Sequence, residues 1–277
     1  MSSRVSPEIN ASRTSTPTLR ILQLTDPHLM ADPDGELLGM NTRDSLDAVM
    51  ALASKEPHAP DLVIASGDIA QDGSEVAYRI FQEKMSRYAC PVIWFPGNHD
   101  DTEAMQRVTA GTRAEQRRVL DGGWQLIFLN SAVPGKVYGE LAETELDFLR
   151  ECLAQYPDRP TLIAFHHHPV DVNCGWMSEI GLTNSDVFMA AIAGHAQVKA
   201  LLWGHIHQSW DEERDGIRLM ATPSTCIQFA PGSTEFSIDE QAPGYRWLDL
   251  YADGTLNSYI RRAEDYAFTV DMNSQGY

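Results

Sequence analysis

Five short segments of this chain carry side chains able to hold metal ions: Asp26-Pro27-His28, Gly67-Asp68, Gly97-Asn98-His99-Asp100, His166-His167-His168-Pro169 and Gly204-His205-Ile206-His207. Taken singly each is weak, because an Asp after a strand often caps a turn and a nearby His is often ordinary surface. The ordered series is far more specific. Its donors are carboxylates, an amide and imidazoles with no thiolate, a set that suits Mn, Fe, Zn or Mg. There are too many donors for one ion, so two are predicted. Two neighbouring cations can share a carboxylate and a hydroxide, lower that water's pKa and bind phosphate oxygens. Two divalent ions, less Asp26, Asp68 and a hydroxide, leave the inner shell roughly one unit positive, which a phosphodiester monoanion would neutralise.

Each segment follows a short apolar run of strand type: Leu19 to Thr25, Leu62 to Ser66, Pro91 to Phe95, Thr161 to Phe165 and Val198 to Trp203. Helical periodicity fills the intervals at Arg43 to Ser54, Glu75 to Tyr88, Glu140 to Ala154 and about Ser185 to Ala193. Alternating buried strands and helices make an α/β layered fold, and ligands in such folds gather beyond the carboxyl ends of the strands. Trp247 to Tyr251 and Thr255 to Arg261, joined by Ala252-Asp253-Gly254, read as a β-hairpin, so the sheets are expected to be mixed.

The chain has 277 residues, 43% hydrophobic and 22% charged, values compatible with one domain with a sizeable core. Residues 1–18 are rich in Ser, Thr and Pro with no apolar h-region; they read as a flexible tail preceding a single domain over 19–277. No stretch is long and apolar enough to span a membrane. A net charge of −18 repels long nucleic acid over most of the surface, while bound cations can still attract a small anion. Cys90, Cys152, Cys174 and Cys226 are scattered rather than paired, as expected of reduced thiols in a cytoplasm.

With those motifs in place, the series resembles the calcineurin-like metallophosphoesterase superfamily over about Leu19 to His207. The resemblance implies a four-layer α/β/β/α sandwich with two mixed β-sheets flanked by helices and a dinuclear metal centre. It implies that Asp26, His28, Asp68 and His207 hold one ion, and that Asp68 bridges to a second completed by Asn98, His167 and His205. Within the His tract the family's His-x-Pro spacing selects His167, with His166 and His168 left as alternatives. His99 is the implied catalytic residue, donating a hydrogen bond or proton to the leaving oxygen. Asp100 is implied to orient it, or equally to cap a helix over Asp101 to Val108. His28, Asp68, Asn98, His99 and His207 would also meet substrate. The ions are expected to be Fe or Mn, with Zn, Mg or Co as alternatives.

The loop Ile69-Ala70-Gln71-Asp72-Gly73 has no arginine to grip a dianionic phosphomonoester, which favours a diester. His166 to Trp176, Gly204 to Gln208, Ala221 to Cys226 with Gln228-Phe229, and Ala242 to Arg246 are similar to class III cyclic-nucleotide phosphodiesterases, the bacterial cyclic-AMP enzymes in particular. That likeness implies hydrolysis of 3',5'-cyclic AMP to 5'-AMP by the shared hydroxide. Trp176 and Phe229 could wall a purine, with core packing the simpler role for Phe229; Asn41 could reach the ribose or serve only its own loop. The alternatives are another small diester, a glycerophosphodiester or a dinucleotide, and a non-catalytic metal-binding scaffold. A homodimer is left open.

Overall fold

The computed structural model describes residues 16–272, 274 and 276, so most of the tail predicted at residues 1–18 lies outside the described residues. Thr18 is held, its hydroxyl donating to the Gly122 carbonyl at 2.6 Å. In chain order the principal elements are β1 (Leu19–Leu24), α1 (Thr42–Ala53), β2 (Leu62–Ala65), α2 (Glu75–Met85), β3 (Val92–Trp94) and α3 (Thr102–Thr109). There follow β4 (Arg118–Asp121), β5 (Trp124–Phe128), α4 (Glu143–Gln155), β6 (Thr161–Ala164), α5 (Ser185–Ile192), β7 (Val198–Trp203), β8 (Trp210–Arg214), β9 (Ile217–Ala221), β10 (Gly244–Leu250) and β11 (Leu256–Arg262).

Two mixed sheets result. One has the order β11-β10-β1-β2-β3 and the other β8-β9-β7-β6-β5-β4. The central strands β1 to β3 run parallel, as do β5, β6 and β7, because each consecutive pair is joined by a crossover that contains a helix. The expected hairpin is present as β10 and β11, antiparallel to each other.

Alternation along the strands decides the layering. Leu19, Ile21, Leu62, Ile64 and Ile93 of the first sheet pack against Trp124, Leu126, Leu162, Ala200 and Leu202 of the second. The opposite face of the first sheet, with Leu22, Val63 and Trp94, is covered by Leu46 and Val49 of α1, Ala77 and Phe81 of α2 and Met105 of α3. The outer face of the second carries Leu146 and Leu149 of α4 and Phe188 of α5. Helix, sheet, sheet, helix is therefore the order of the layers, as expected. Each fully buried Leu or Ile contributes about 1.5–3 kcal/mol, so this central layer is the principal adhesive between the sheets.

A polar link near the site crosses the central layer. Gln23 donates to Ser66 Oγ (2.7 Å) and to the Trp203 carbonyl (3.2 Å), and accepts from Thr222 Oγ1, tying β1 to the second sheet just below the strand ends that carry the site.

Candidate metal centre

All five polar segments lie beyond the carboxyl ends of parallel strands: three after β1, β2 and β3, two after β6 and β7. The loops after β1 and β2 continue side by side past the sheet, with Asp26 N on Gly67 O (3.1 Å) and His28 N on Asp68 O (3.0 Å). This fixes Asp26, His28 and Asp68 relative to one another. Asp26, His28, Asp68, His205 and His207 all have φ between 48° and 65°. The left-handed region costs a residue other than glycine about 1–2 kcal/mol and persists where surrounding bonds over-determine it.

Motif glycines are explained by crowding. A Cβ on Gly97 would fall on the Asp68 carboxylate and the His166 ring, and one on Gly204 on Thr25 Oγ1 and Asp26 Oδ2.

Among the described residues, four overlapping groups place one donor atom per residue within 4.8 Å of the others: Asp26, His28 and His207; His28, Asp68 and His99; Asp26, Asp68 and His166; and His166, His167 and His205. Asp68 belongs to two of them. His207 Nε2 lies 3.3 Å from Asp26 Oδ1, and His28 Nε2 3.2 Å from His207 Nε2. His166 Nε2 lies 3.2 Å from both Asp68 Oδ2 and Asn98 Oδ1.

Four of these imidazoles are locked in the same way. His28 Nδ1 faces Gln71 Oε1 (2.6 Å), His166 Nδ1 the Ser66 carbonyl (2.8 Å), His207 Nδ1 the Ile227 carbonyl (3.0 Å), and His205 Nε2 the Ile180 carbonyl (2.9 Å). Carbonyl-type oxygens only accept, so the ring nitrogen facing each must carry hydrogen, and in the neutral ring the other nitrogen keeps a lone pair. His205 Nδ1 is buried without a hydrogen bond, and Asp68 Oδ2 is buried with only the His166 ring nitrogen beside it, at 3.2 Å. Left so, an unpartnered atom such as His205 Nδ1 costs about 1–3 kcal/mol, and a cation is the partner the chemistry of both atoms calls for.

The electrostatics agree. Burial pushes His28 down to about 3 and His205 well below the ordinary imidazole value, so both are neutral, as metal ligands must be. Burial also opposes charge on His166, but Asp68 and then Asp26 outweigh it and raise His166 to about 9. Asp68 is held well below the carboxylate range: burial opposes its charge, and His166, His99 and His28 prevail. The two carboxylates demand a positive charge among them, which a proton on His166 supplies here and a divalent ion supplies better.

The three rings of the His tract have different partners. Both His167 nitrogens are engaged, Nε2 with the Val137 carbonyl (3.2 Å) and Nδ1 with the Ser131 hydroxyl (2.8 Å), leaving no spare lone pair. His166, directly at the end of β6, is the ring that reaches Asp68 and Asn98. His168 bonds the Met177 carbonyl and stacks on His205.

The helix cap expected of Asp100 is made by its neighbour instead: Asp101 accepts from Ala104 N ahead of α3. The oxygens of Asp100 accept from Ile69 N (3.2 Å), Ala70 N (2.9 Å), Gly97 N (2.8 Å) and Tyr78 OH (3.1 Å), so it ties two loops together. His99 is half-buried on the same turn, its backbone N donating to Asp68 Oδ1 (2.8 Å) and its ring edge-on to His28.

A model of the calcineurin-like phosphoesterase family matches residues 19–209. The chain belongs to that family. A 3',5'-cyclic adenosine monophosphate phosphodiesterase, CpdA, of Pseudomonas aeruginosa is 44% identical over 93% of this chain and 94% of its own length. The protein of the same name from Escherichia coli K12 is 43% identical over 94% and 95%. A dimetal phosphatase from Danio rerio shares the fold at a TM-score of 0.68 and 14% identity, covering 93% of this chain and all of its own.

Calcineurin-like phosphoesterases imply divalent metal ions, and the donor set fits that requirement. Around this phosphoesterase's centre, four side chains play parts that sequence reading left open or missed. Phe229 is buried and stacks on the His207 ring at 4.3 Å, so it backs the centre. Half-buried Trp176 packs edge-on to Phe229 and Phe236 with its indole N–H on Ser233 Oγ. Asn41 caps α1 and donates to the Pro33 carbonyl, a loop role. Gln71, three residues past Asp68, holds His28, a role that nothing in the local sequence signals.

Proposed function

We propose that this phosphoesterase hydrolyses 3',5'-cyclic AMP to 5'-AMP at a dinuclear centre. Asp26, His28, Asp68 and His207 hold one ion; Asp68, Asn98, His166 and His205 hold the other. The observation that carries the ligand set is the locking of His28, His166, His205 and His207, each with one nitrogen committed to an acceptor, the other nitrogen of His28, His166 and His207 facing the carboxylates and that of His205 buried beside His166. The substrate rests on the names of relatives 43–44% identical over nearly the whole chain.

When bound, two divalent ions acidify a water and neutralise phosphate charge. The protein's own side chains do the rest. Asp68, reached from both groups of donors, sets the spacing between them, and His166, itself against Asn98 Oδ1, stands 3.2 Å from its second oxygen. His99 stands at the half-exposed edge of the same cluster, where its ring can donate to the departing 3' oxygen as the ester bond breaks. The loop after Asp68 offers no guanidinium, and Gln71 in it serves His28, so the site is furnished for a monoanion rather than a dianion. The donors suit Fe or Mn, and the four cysteines are free, which fits a reducing compartment.

The test is a substrate panel on protein of measured metal content. Cyclic AMP should be turned over with the highest kcat/KM and give 5'-AMP. A higher kcat/KM for a glycerophosphodiester or a dinucleotide would replace the substrate, and no turnover of any diester with any metal would leave only a scaffold.

A further inference from the structure

We propose that Tyr78 is a positioning residue for the metal centre, acting through Asp100 to set the loop that carries Asp68 against the loop that carries Asn98 and His99; this rests on the dinuclear reading above. Tyr78 lies on α2 within a stripe of Ala77, Tyr78, Phe81 and Met85, spaced as one buried helical face. By pattern alone its ring is core. The phenol oxygen, however, passes beyond the apolar layer: it donates to Asp100 Oδ1 at 3.1 Å and accepts from Asp101 N at 2.9 Å.

Asp100 is the junction. Its carboxylate takes the amides of Ile69 and Ala70, the two residues after Asp68, and of Gly97, the residue before Asn98. The two loops meet again where His99 N donates to Asp68 Oδ1. Asp68, in left-handed backbone, is thereby braced from behind by two amides of its own loop and from the side by the neighbouring turn. Tyr78 supplies the only side-chain donor to Asp100 named in this network and, through Asp101 N, holds the cap of α3 in place. Removing the hydroxyl takes one partner from a half-buried carboxylate and another from a backbone N–H, while the ring can still fill the core.

The test uses the full chain with Tyr78→Phe, Asp100→Asn and the double variant. In metal-free protein, amide hydrogen exchange over residues 68–71 and 97–101 should be faster in Tyr78→Phe than in the parent. Manganese(II), titrated alone against a competing chelator, should bind at least one site about 10-fold more weakly, the lower end of losses for groups that orient metal ligands. Turnover should recover at saturating manganese, which a general loss of folding would not allow. Because Tyr78 acts through Asp100, adding Tyr78→Phe to Asp100→Asn should weaken manganese binding no further. Parent-like exchange and manganese affinity in Tyr78→Phe, or losses that simply add in the double variant, would overturn the proposal. A parent chain that binds manganese but spares cyclic AMP overturns the substrate alone, since neither exchange nor metal titration involves the nucleotide.

Discussion

The floor and the rim of the centre are built on different terms. On the floor, Asp26, His28, Asp68, His166, His205 and His207 are at most 4% exposed, and five of the six are in left-handed backbone. Each floor imidazole is also fixed by a second hydrogen bond. On the rim, Asn98 and His99 are half-buried on a turn, and Trp176 stands half-exposed on a loop beyond β6. Strain and burial are tolerated where geometry must be exact for a cation, because a ring that can rotate is a weaker ligand. Exposure is kept where a substrate must arrive. Floor residues should therefore govern metal content, and rim residues turnover at full metal content.

The largest effect is expected on the floor. Asp68→Ala should leave the protein with fewer than two ions and abolish turnover; metal analysis at full occupancy would remove Asp68 from the shared position. His166→Ala and His167→Ala, made in parallel, sharpen the comparison within one tract. The first should lose an ion and its activity. The second should keep both ions while unfolding more easily, by about 1–3 kcal/mol for each buried hydrogen-bonding partner it abandons. The reverse outcome would restore the His-x-Pro choice. Moving to the rim, His99→Ala should retain both ions and lower kcat roughly 10²- to 10⁴-fold, as for loss of a general acid. Unchanged kcat would take it out of the reaction.

The smallest effect is expected at Trp176. If its indole meets the base, Trp176→Ala should raise KM for cyclic AMP by the equivalent of about 1–3 kcal/mol, the worth of one base stacked on an aromatic ring. Bis-p-nitrophenyl phosphate, which has no base, should be hydrolysed as before. An equal loss on both substrates would make Trp176 only a support for Phe229 and, behind it, His207.

Much of this was legible in one dimension. Strand-like runs ending in Asp, Asn and His foretold the parallel strands, the end of the sheets where the site lies and the donor types, because burial and side-chain period leave a direct trace in residue order. Glycines before Asp68, Asn98 and His205 marked the same places, though not the reason, which is that neighbouring loops fill the space a Cβ would need. The hairpin β4–β5 and the edge pair β8–β9 left weaker traces: β4 and β8 lie at sheet edges, are partly exposed and mix charge with apolar residues, which blurs alternation.

What order in the chain determined was the inventory: which donors exist, which strand delivers each and that an anion suits them. Only the folded structure separates His166 from His167, since three adjacent imidazoles are alike until Ser131 and Val137 claim one and Ser66 turns another toward Asp68. It likewise moved the helix cap from Asp100 to Asp101 and made a core tyrosine a partner of the centre. The physical reason is that a ligand is chosen by where its second nitrogen is bonded, and those partners come from loops 30 to 100 residues away in sequence.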